Sequence, residues 1–289
     1  MVDFIHLHLH SQFSILDGAC KLKEMIEKAA KDGMAGAAIT DHGNMFGVKE
    51  FHEEVSKHNE ELAKKYKEEL KQHAEDTAYI ESLVPPTVFK PIIGCETYIA
   101  RRSRFDKTEM IDRKGDHFIL LAKNMQGYHN LTRLISKAWV EGHYYKPRID
   151  KDLLRTYHEG IIASSACLAG EIPRAILNGN VEKAESLILE FKEIFGDDFY
   201  LEVMRHPATD PTRDATVYQR QRIVNDALIE LATKTGVKLL ATNDVHFINE
   251  EDAEAHDRLL CLNTGKVPLR ISENISPSTG RLSKYCLIL

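Results

Sequence analysis

Phe4-Ile5-His6-Leu7-His8-Leu9-His10-Ser11 alternates apolar and imidazole side chains. That period of two belongs to a β-strand, so the three histidines are predicted to project from one strand face. Two imidazoles placed i,i+2 on such a face can converge on one metal ion, because a neutral ring nitrogen is a strong ligand for zinc, manganese or iron. His8 and His10 are that pair, His6 lies deeper, and Asp17-Gly18 follows at the next turn. A lone buried histidine is ordinarily satisfied by backbone carbonyls. A pair followed by a carboxylate reads as a metal site.

The same design recurs along the chain. Residues able to hold metal lie within, at or just beyond most of the apolar runs at residues 4–10, 37–40, 91–100, 117–122, 160–164, 199–203 and 237–243. They are Asp41-His42, Cys95-Glu96, Asp116-His117, Cys167 and Asp244-Val245-His246. Between the runs, Leu22, Met25, Ile26, Ala29 and Ala30 have helical spacing before Gly33, as do Ala184, Leu187, Ile188 and Phe191 before Gly196. Strands alternating with amphipathic helices predict a parallel α/β sheet of about seven βα units. Ligand candidates gathered at the C-terminal ends of many strands favour a closed or distorted barrel over an open doubly wound sheet, which concentrates its site at one switch point.

Each motif also has an ordinary reading. Asp41-His42-Gly43 alone is a turn whose aspartate caps a helix, Glu96 alone a solvated loop acid, and Cys167 alone an inert buried thiol. Asp244 and His246 repeat the strand-face spacing and are more specific. Gathered into one site, such nitrogen and oxygen ligands would activate water for hydrolysis, and a phosphate ester suits several divalent cations best. Lys146, Arg148 and Arg205 are candidate phosphate contacts.

With 289 residues, 43% of them hydrophobic, the chain can bury one large core. A net charge of −6 argues against a surface given over to non-specific nucleic-acid binding, so any such contact is expected to be local to the site. No stretch matches a membrane span or a secretory signal, which predicts a cytoplasmic protein with no membrane partner. The five cysteines are scattered and odd in number, which is not a disulfide framework. Residues 52–83 mix Glu and Lys densely. They are expected to form a solvated helical excursion with Glu53/Lys57, Glu60/Lys64 and Glu61/Lys65 paired, and Val55, Leu62, Tyr66 and Leu70 along one edge. Residues 267–289 read as a tail or truncated linker.

Taken together, His8-Leu9-His10-Ser11, Asp17, His42, Glu96, His117, Cys167, Asp244 and His246 resemble the nine-ligand pattern of the PHP (polymerase and histidinol phosphatase) family. Within it, Phe13-Ser14-Ile15-Leu16-Asp17-Gly18, Thr40-Asp41-His42-Gly43-Asn44-Met45-Phe46-Gly47, Tyr144-Tyr145-Lys146-Pro147-Arg148 and Ala241-Thr242-Asn243-Asp244-Val245-His246-Phe247 resemble one branch. That branch forms the N-terminal domain of bacterial replicative DNA polymerase III alpha subunits. The resemblance implies a distorted seven-stranded, TIM-like α/β barrel over residues 1–266, with residues 52–83 as an insertion. It implies two or three divalent ions (zinc, manganese or iron) held by those nine residues.

The activity implied is a metal-dependent phosphoesterase, a 3′–5′ exonuclease in which a metal-activated hydroxide attacks the DNA 3′ end, with Arg205 and His206 orienting substrate. The implied partners are the rest of the alpha subunit and the replisome. The palm, fingers and thumb of a polymerase fall outside this sequence, so DNA synthesis is not assigned to it. Two other readings remain: a metal-stabilised scaffold that binds a proofreading partner, and a stand-alone phosphomonoesterase of the histidinol phosphatase kind.

Overall fold

β-Branched and other apolar residues between polar turns form seven strands: β1 (Gly36–Ile39), β2 (Lys90–Ala100), β3 (Gly115–Ala122), β4 (Arg148–Ile149), β5 (Ile161–Ser164), β6 (Phe199–Val203) and β7 (Lys238–Ala241). They make one sheet in the order β1-β2-β3-β5-β6-β7, with β4 beside β2. Around it lie α1 (Leu22–Lys31), α2 (Val48–Gln72), α3 (Thr77–Ser82), α4 (Met125–Val140), α5 (Lys151–Tyr157), α6 (Glu171–Leu177), α7 (Val181–Phe195), α8 (Val217–Thr235) and α9 (Ala253–Thr264). The structure, a computed structural model, describes residues 4–207 and 216–265; the stretch 267–289 read as a tail lies outside the described residues.

The expected first strand is not a strand. Residues 4–10 make isolated bridges, His6 with Ala37 and Leu9 with Val245. Ala38 N–H donates to the His6 carbonyl (2.8 Å) and Thr40 N–H to that of Leu9 (2.8 Å), while Val245 N–H donates to His8 (3.1 Å) and His10 N–H to Val245 (2.7 Å). A regular ladder would bond one neighbour at every second residue. Here the bonds toward β1 are three residues apart, so the segment bends between them. It nevertheless lies between β1 and the chain leaving β7, and so closes the curled sheet into a distorted α/β barrel.

The bend also separates the histidines. His6 stacks edge-on against Phe4 at 4.9 Å and feels the charges of Asp32 and Lys28 near the end of α1, away from His8 and His10. Burial pushes the His6 pKa down to about 4. The unfolded chain therefore takes up a proton near pH 6.5 that the folded chain refuses, and stability falls as pH drops from about 6.5 toward 4. Denaturant unfolding of the His6→Phe variant is expected to show a shallower decline over that window than the parent; parallel curves would remove His6 as the cause.

The expected all-parallel sheet is corrected at β3, which runs antiparallel to both β2 and β5. Only residues 101–114 join β2 to β3, with one 3-10 turn at Met110–Arg113 and no crossover helix, so the chain returns as a hairpin. The reversal brings the start of β3, with His117, to the barrel end where the other strands finish.

Arg148 explains how that connection is fastened. It is fully buried, its Nε donating to the Gly142 carbonyl (3.0 Å), Nη1 to Asp112 (2.7 Å) and Nη2 to Arg104 and Asp106 (3.0 and 2.9 Å). With these donors spent on backbone, the phosphate contact expected of Arg148 does not stand.

The predicted helix faces hold: Leu22, Met25, Ile26 and Ala29 of α1, and Ala184, Leu187, Ile188 and Phe191 of α7, are buried. In the charged excursion α2 buries Val48, Phe51 and Val55, whereas Leu62, Tyr66 and Leu70 are only half-buried. Its ion pairs are Lys49–Glu53, Lys57–Glu54 and Lys64–Glu68 rather than the three expected, because long exposed side chains choose among several partners one turn away. No helix among the described residues is long and apolar enough to cross a membrane. Cys20, Cys95, Cys167 and Cys261 are free thiols.

Candidate metal centre

The loop after residue 10 is tied to the end of β1 by Asp41, which accepts from Ser11 N–H (2.7 Å), Ser11 Oγ (2.8 Å) and Ser14 Oγ (2.7 Å). Gly18 lets that loop turn tightly, since a Cβ there would lie 2.0 Å from the Ser11 carbonyl oxygen. Among the described residues, three of the four non-glycine residues with left-handed backbone sit at candidate ligands: Leu16 precedes Asp17, Ala166 precedes Cys167, and the third is Asp244 itself. Such conformations cost about 1–3 kcal/mol each and persist where the surroundings enforce them.

All nine candidate ligands meet at this end of the barrel. His8 Nε2 lies 3.2 Å from His10 Nε2, 3.1 Å from Asp244 Oδ1 and 3.4 Å from Glu96 Oε1. Glu96 reaches His42 Nδ1 (2.5 Å) and His117 Nδ1 (2.7 Å), and His117 lies 3.7 Å from Cys167 Sγ. Asp17 meets His42 Nε2 at 3.0 Å and His246 Nε2 at 3.7 Å. The His10 ring packs against those of both His42 (4.1 Å) and His246 (4.3 Å). Among the described residues, three sets place ligand-type atoms within 4.8 Å of one another: His10, His42 and His246; His8, His10 and Glu96; Glu96, His117 and Cys167. His10 and Glu96 are each shared by two sets, so the pockets adjoin.

Hydrogen bonds behind the rings fix where their lone pairs point. Ser14 gives its one proton to Asp41, so at 3.0 Å it accepts from His10 Nδ1–H, leaving His10 Nε2 bare. His246 Nδ1–H donates to the Asp244 carbonyl (2.9 Å), which leaves its Nε2 bare as well. His8 Nδ1–H donates to Glu202 (3.0 Å), turning Nε2 to the centre. Glu202, on β6, is held in turn by Thr242 Oγ1 (2.6 Å) and by Ser164 Oγ. Imidazole nitrogens and carboxylate oxygens thus face one another at about 3 Å, and burial opposes a proton on His8 while Asp244 and Glu202 raise its pKa well above the usual value. Only positive charge among them relieves that arrangement, so the residues fit divalent cations.

The titration behaviour carries the same demand. Burial opposes the negative charge of Glu96, yet His117 and His42 hold its carboxyl well below the usual range. Asp244 is held down likewise against burial by His8 and His246, and Asp17 by His256 and His42. Burial opposes a proton on His42, but Glu96 and Asp17 outweigh it and raise its pKa to about 10. Burial, with His42 and His246 alongside, drives His10 down to about 3. Burial, then Asp244 and Glu96, push the Cys167 thiol well up, so a cation would be what deprotonates it.

The two residues expected to orient substrate are not part of the cluster. Arg205 is exposed just beyond β6. His206 is braced by Gln221 (2.7 Å), its pKa lowered by burial with Asp244 acting in the opposite sense. Lys146 is exposed and stands over the Tyr98 ring at 5.2 Å, and that ring lies 5.2 Å from His117. Sequence reasoning passed over Glu202, Ser14 and His256, the last buried with Nε2 3.5 Å from Asp17. Glu202 did carry a signal, an acid inside an otherwise apolar five-residue strand.

The PHP domain family matches residues 6–206. Among curated proteins, the DNA polymerase III subunit alpha of Borreliella burgdorferi is 43% identical over 91% of this chain and 20% of its own length. That of Treponema pallidum is 39% identical over 92% of this chain and 20% of its own. The chain therefore spans about a fifth of the length of these relatives. Among solved structures, an amidohydrolase from Chromobacterium violaceum with bound sulfate and no metal aligns over 86% of this chain and 89% of that one, with a TM-score of 0.43 at 14% identity.

Proposed function

This chain belongs to the PHP domain family, and on that premise we propose that it is a metal-dependent phosphoesterase that shortens DNA from its 3′ end. The observation that carries the reading is the set of imidazole nitrogens and carboxylate oxygens converging at about 3 Å. His8, His10, Asp17, His42, Glu96, His117, Cys167, Asp244 and His246 would hold two or three divalent ions, of zinc, manganese or iron. Bound there, such ions supply Lewis acidity that lowers the pKa of water and neutralises phosphate charge. The chain's own part is to keep His8, His10 and His246 in the Nδ1–H tautomer through Glu202, Ser14 and the Asp244 carbonyl. Lys146, over the Tyr98 ring, and Arg205 and His206, outside the cluster, would be the contacts to substrate phosphates. Likeness to polymerase III alpha subunits supports a place as the N-terminal domain of such a subunit, working on DNA ends in the cytoplasm within a replisome.

The test is metal analysis of the purified chain together with incubation of a 5′-labelled primer on its template, in manganese and in zinc, beside an Asp244→Asn/His246→Ala double variant. Stepwise shortening that the variant abolishes is the expected result. Two or three bound metals without shortening would sink the catalytic reading and leave a metal-stabilised scaffold for a polymerase or its proofreading partner. Preferential hydrolysis of p-nitrophenyl phosphate would indicate a phosphomonoesterase instead.

Glu202 offers a separate check on how the centre is built. Carboxylates behind a metal-binding histidine typically contribute about 10- to 100-fold to affinity. Glu202→Gln is expected to weaken zinc binding by about that factor in a chelator competition, because an amide cannot accept from His8, Thr242 and Ser164 together. Unchanged affinity would remove Glu202 from the orientation of His8.

A further inference from the structure

We propose that the exposed aromatic and cationic rim beside the metal centre is a stacking platform for the bases of an unpaired, single-stranded nucleic-acid end. This rests on the phosphoesterase reading above and adds to it the form of substrate and the residues that select it. Trp139, at the end of α4, donates its indole N–H to the Gly43 carbonyl (2.8 Å), next to His42. One face of the indole stacks on His143, at 5.3 Å and 16°, and the residue is still 44% exposed. Its polar edge is used, and the rest of the residue remains part-exposed. Tyr145 is 63% exposed, in the left-handed backbone region at φ 62°, in a tight turn where Tyr144 N–H donates to the Lys146 carbonyl (3.1 Å).

This rim is continuous with the centre. Gly43, at φ 61°, packs so closely that a Cβ there would lie 2.6 Å from Pro147 and 3.2 Å from the Tyr98 ring. Tyr98 lies 5.2 Å from His117 and 6.3 Å from His42, with the Lys146 ammonium over it. Arg113 covers the Tyr145 ring at 4.9 Å. Neither Arg113 nor Lys146 has a carboxylate partner among the described residues, although the chain carries a net charge of −6. Part-exposed Trp139 and Tyr145 interleaved with cations that lack a carboxylate partner match a chain of bases joined by phosphates, because every base has a π-face and every link a negative charge. A purely apolar protein partner would leave those cations buried without counter-charge. A strand paired in a duplex hides its base faces, so the platform selects frayed ends.

The experiment measures binding of a labelled, phosphorothioate-linked oligo(dT), resistant to hydrolysis, against an abasic strand of equal length, by fluorescence anisotropy. The whole chain is used, with Tyr145→Ala, Tyr145→Phe, Trp139→Phe and Lys146→Gln. The expected result is that oligo(dT) binds about tenfold or more tightly than the abasic strand, and that Tyr145→Ala erases about that factor while Tyr145→Phe keeps it. Trp139→Phe, which keeps a ring, is expected to retain most of the preference. Lys146→Gln is expected to weaken both strands alike and to lower the salt slope by about one. Equal affinity for the two strands, or a Tyr145→Ala variant of unchanged affinity, would overturn the platform and assign the rim to a protein contact. Metal content and thermal unfolding of each variant exclude loss of fold as the cause. Failure of the phosphoesterase reading looks different: ordinary oligo(dT) is bound with base preference yet never shortened.

Discussion

Replacing Glu96 by Gln is expected to strip metal from the chain and to lower phosphodiester hydrolysis by about 10³-fold, since metal-based charge stabilisation is worth several kcal/mol and each 1.36 kcal/mol is tenfold in rate. Glu96 is, with His10, one of the two residues shared between ligand sets. Glu96 is fully buried, its Oε1 meets His117 and His8, its Oε2 meets His42, and it belongs to two of the three ligand sets. An amide of the same shape offers one acceptor oxygen and turns N–H donors toward imidazoles that need an anion. Removing one member of a buried charged network also costs about 3–5 kcal/mol, so the metal-free variant is expected to unfold at lower denaturant than the metal-free parent. Elemental analysis, hydrolysis rates and unfolding curves read the three effects. A Glu96→Gln chain with the parent's metal content would contradict the assignment of Glu96 as a shared ligand.

Arg148→Met is expected to lower stability by about 3–5 kcal/mol, a fall of about 10 °C in Tm, without touching any of the nine candidate ligands. The loss comes from the carbonyls of Gly142, Asp112, Arg104 and Asp106, which the guanidinium satisfies inside the protein and a thioether cannot. Arg148→Lys keeps the charge, but a single ammonium cannot span carbonyls placed around a planar fork, so it is expected to rescue only part of the loss. Calorimetry with metal analysis separates this from an effect on the centre: Tm drops and metal content stays. A change in Tm equivalent to less than about 1 kcal/mol would mean the connection between β2 and β3 is held by other contacts, with the Arg102 to Asp112 and Glu109 pairs the first to consider.

These two residues show what a sequence can and cannot disclose. Glu96 was legible because it follows an apolar run, and its place at a strand gave it a chemical reading. Arg148 was misread as a phosphate contact, because a cation in a polar loop looks the same whether it meets solvent or four backbone carbonyls. The expected salt bridges of α2 were missed for a related reason: exposed charges choose partners among near-equal alternatives.

What the sequence determined by itself is local. Side chains two, three or four residues apart set the helix faces of α1 and α7, the apolar runs that become strands, and the clustering of ligand-type residues at run ends. What only the tertiary structure decided is non-local. It turned β3 around to deliver His117, bent residues 4–10 so that His6 parts from His8 and His10, and closed the barrel through Leu9 and Val245. It also chose the tautomers, through bonds such as that of His8 to Glu202, 194 positions away. Periodicity reports the environment along one element. Hydrogen-bond satisfaction in a closed barrel depends on which elements become neighbours, and neighbouring side chains in the sequence carry no direct record of that.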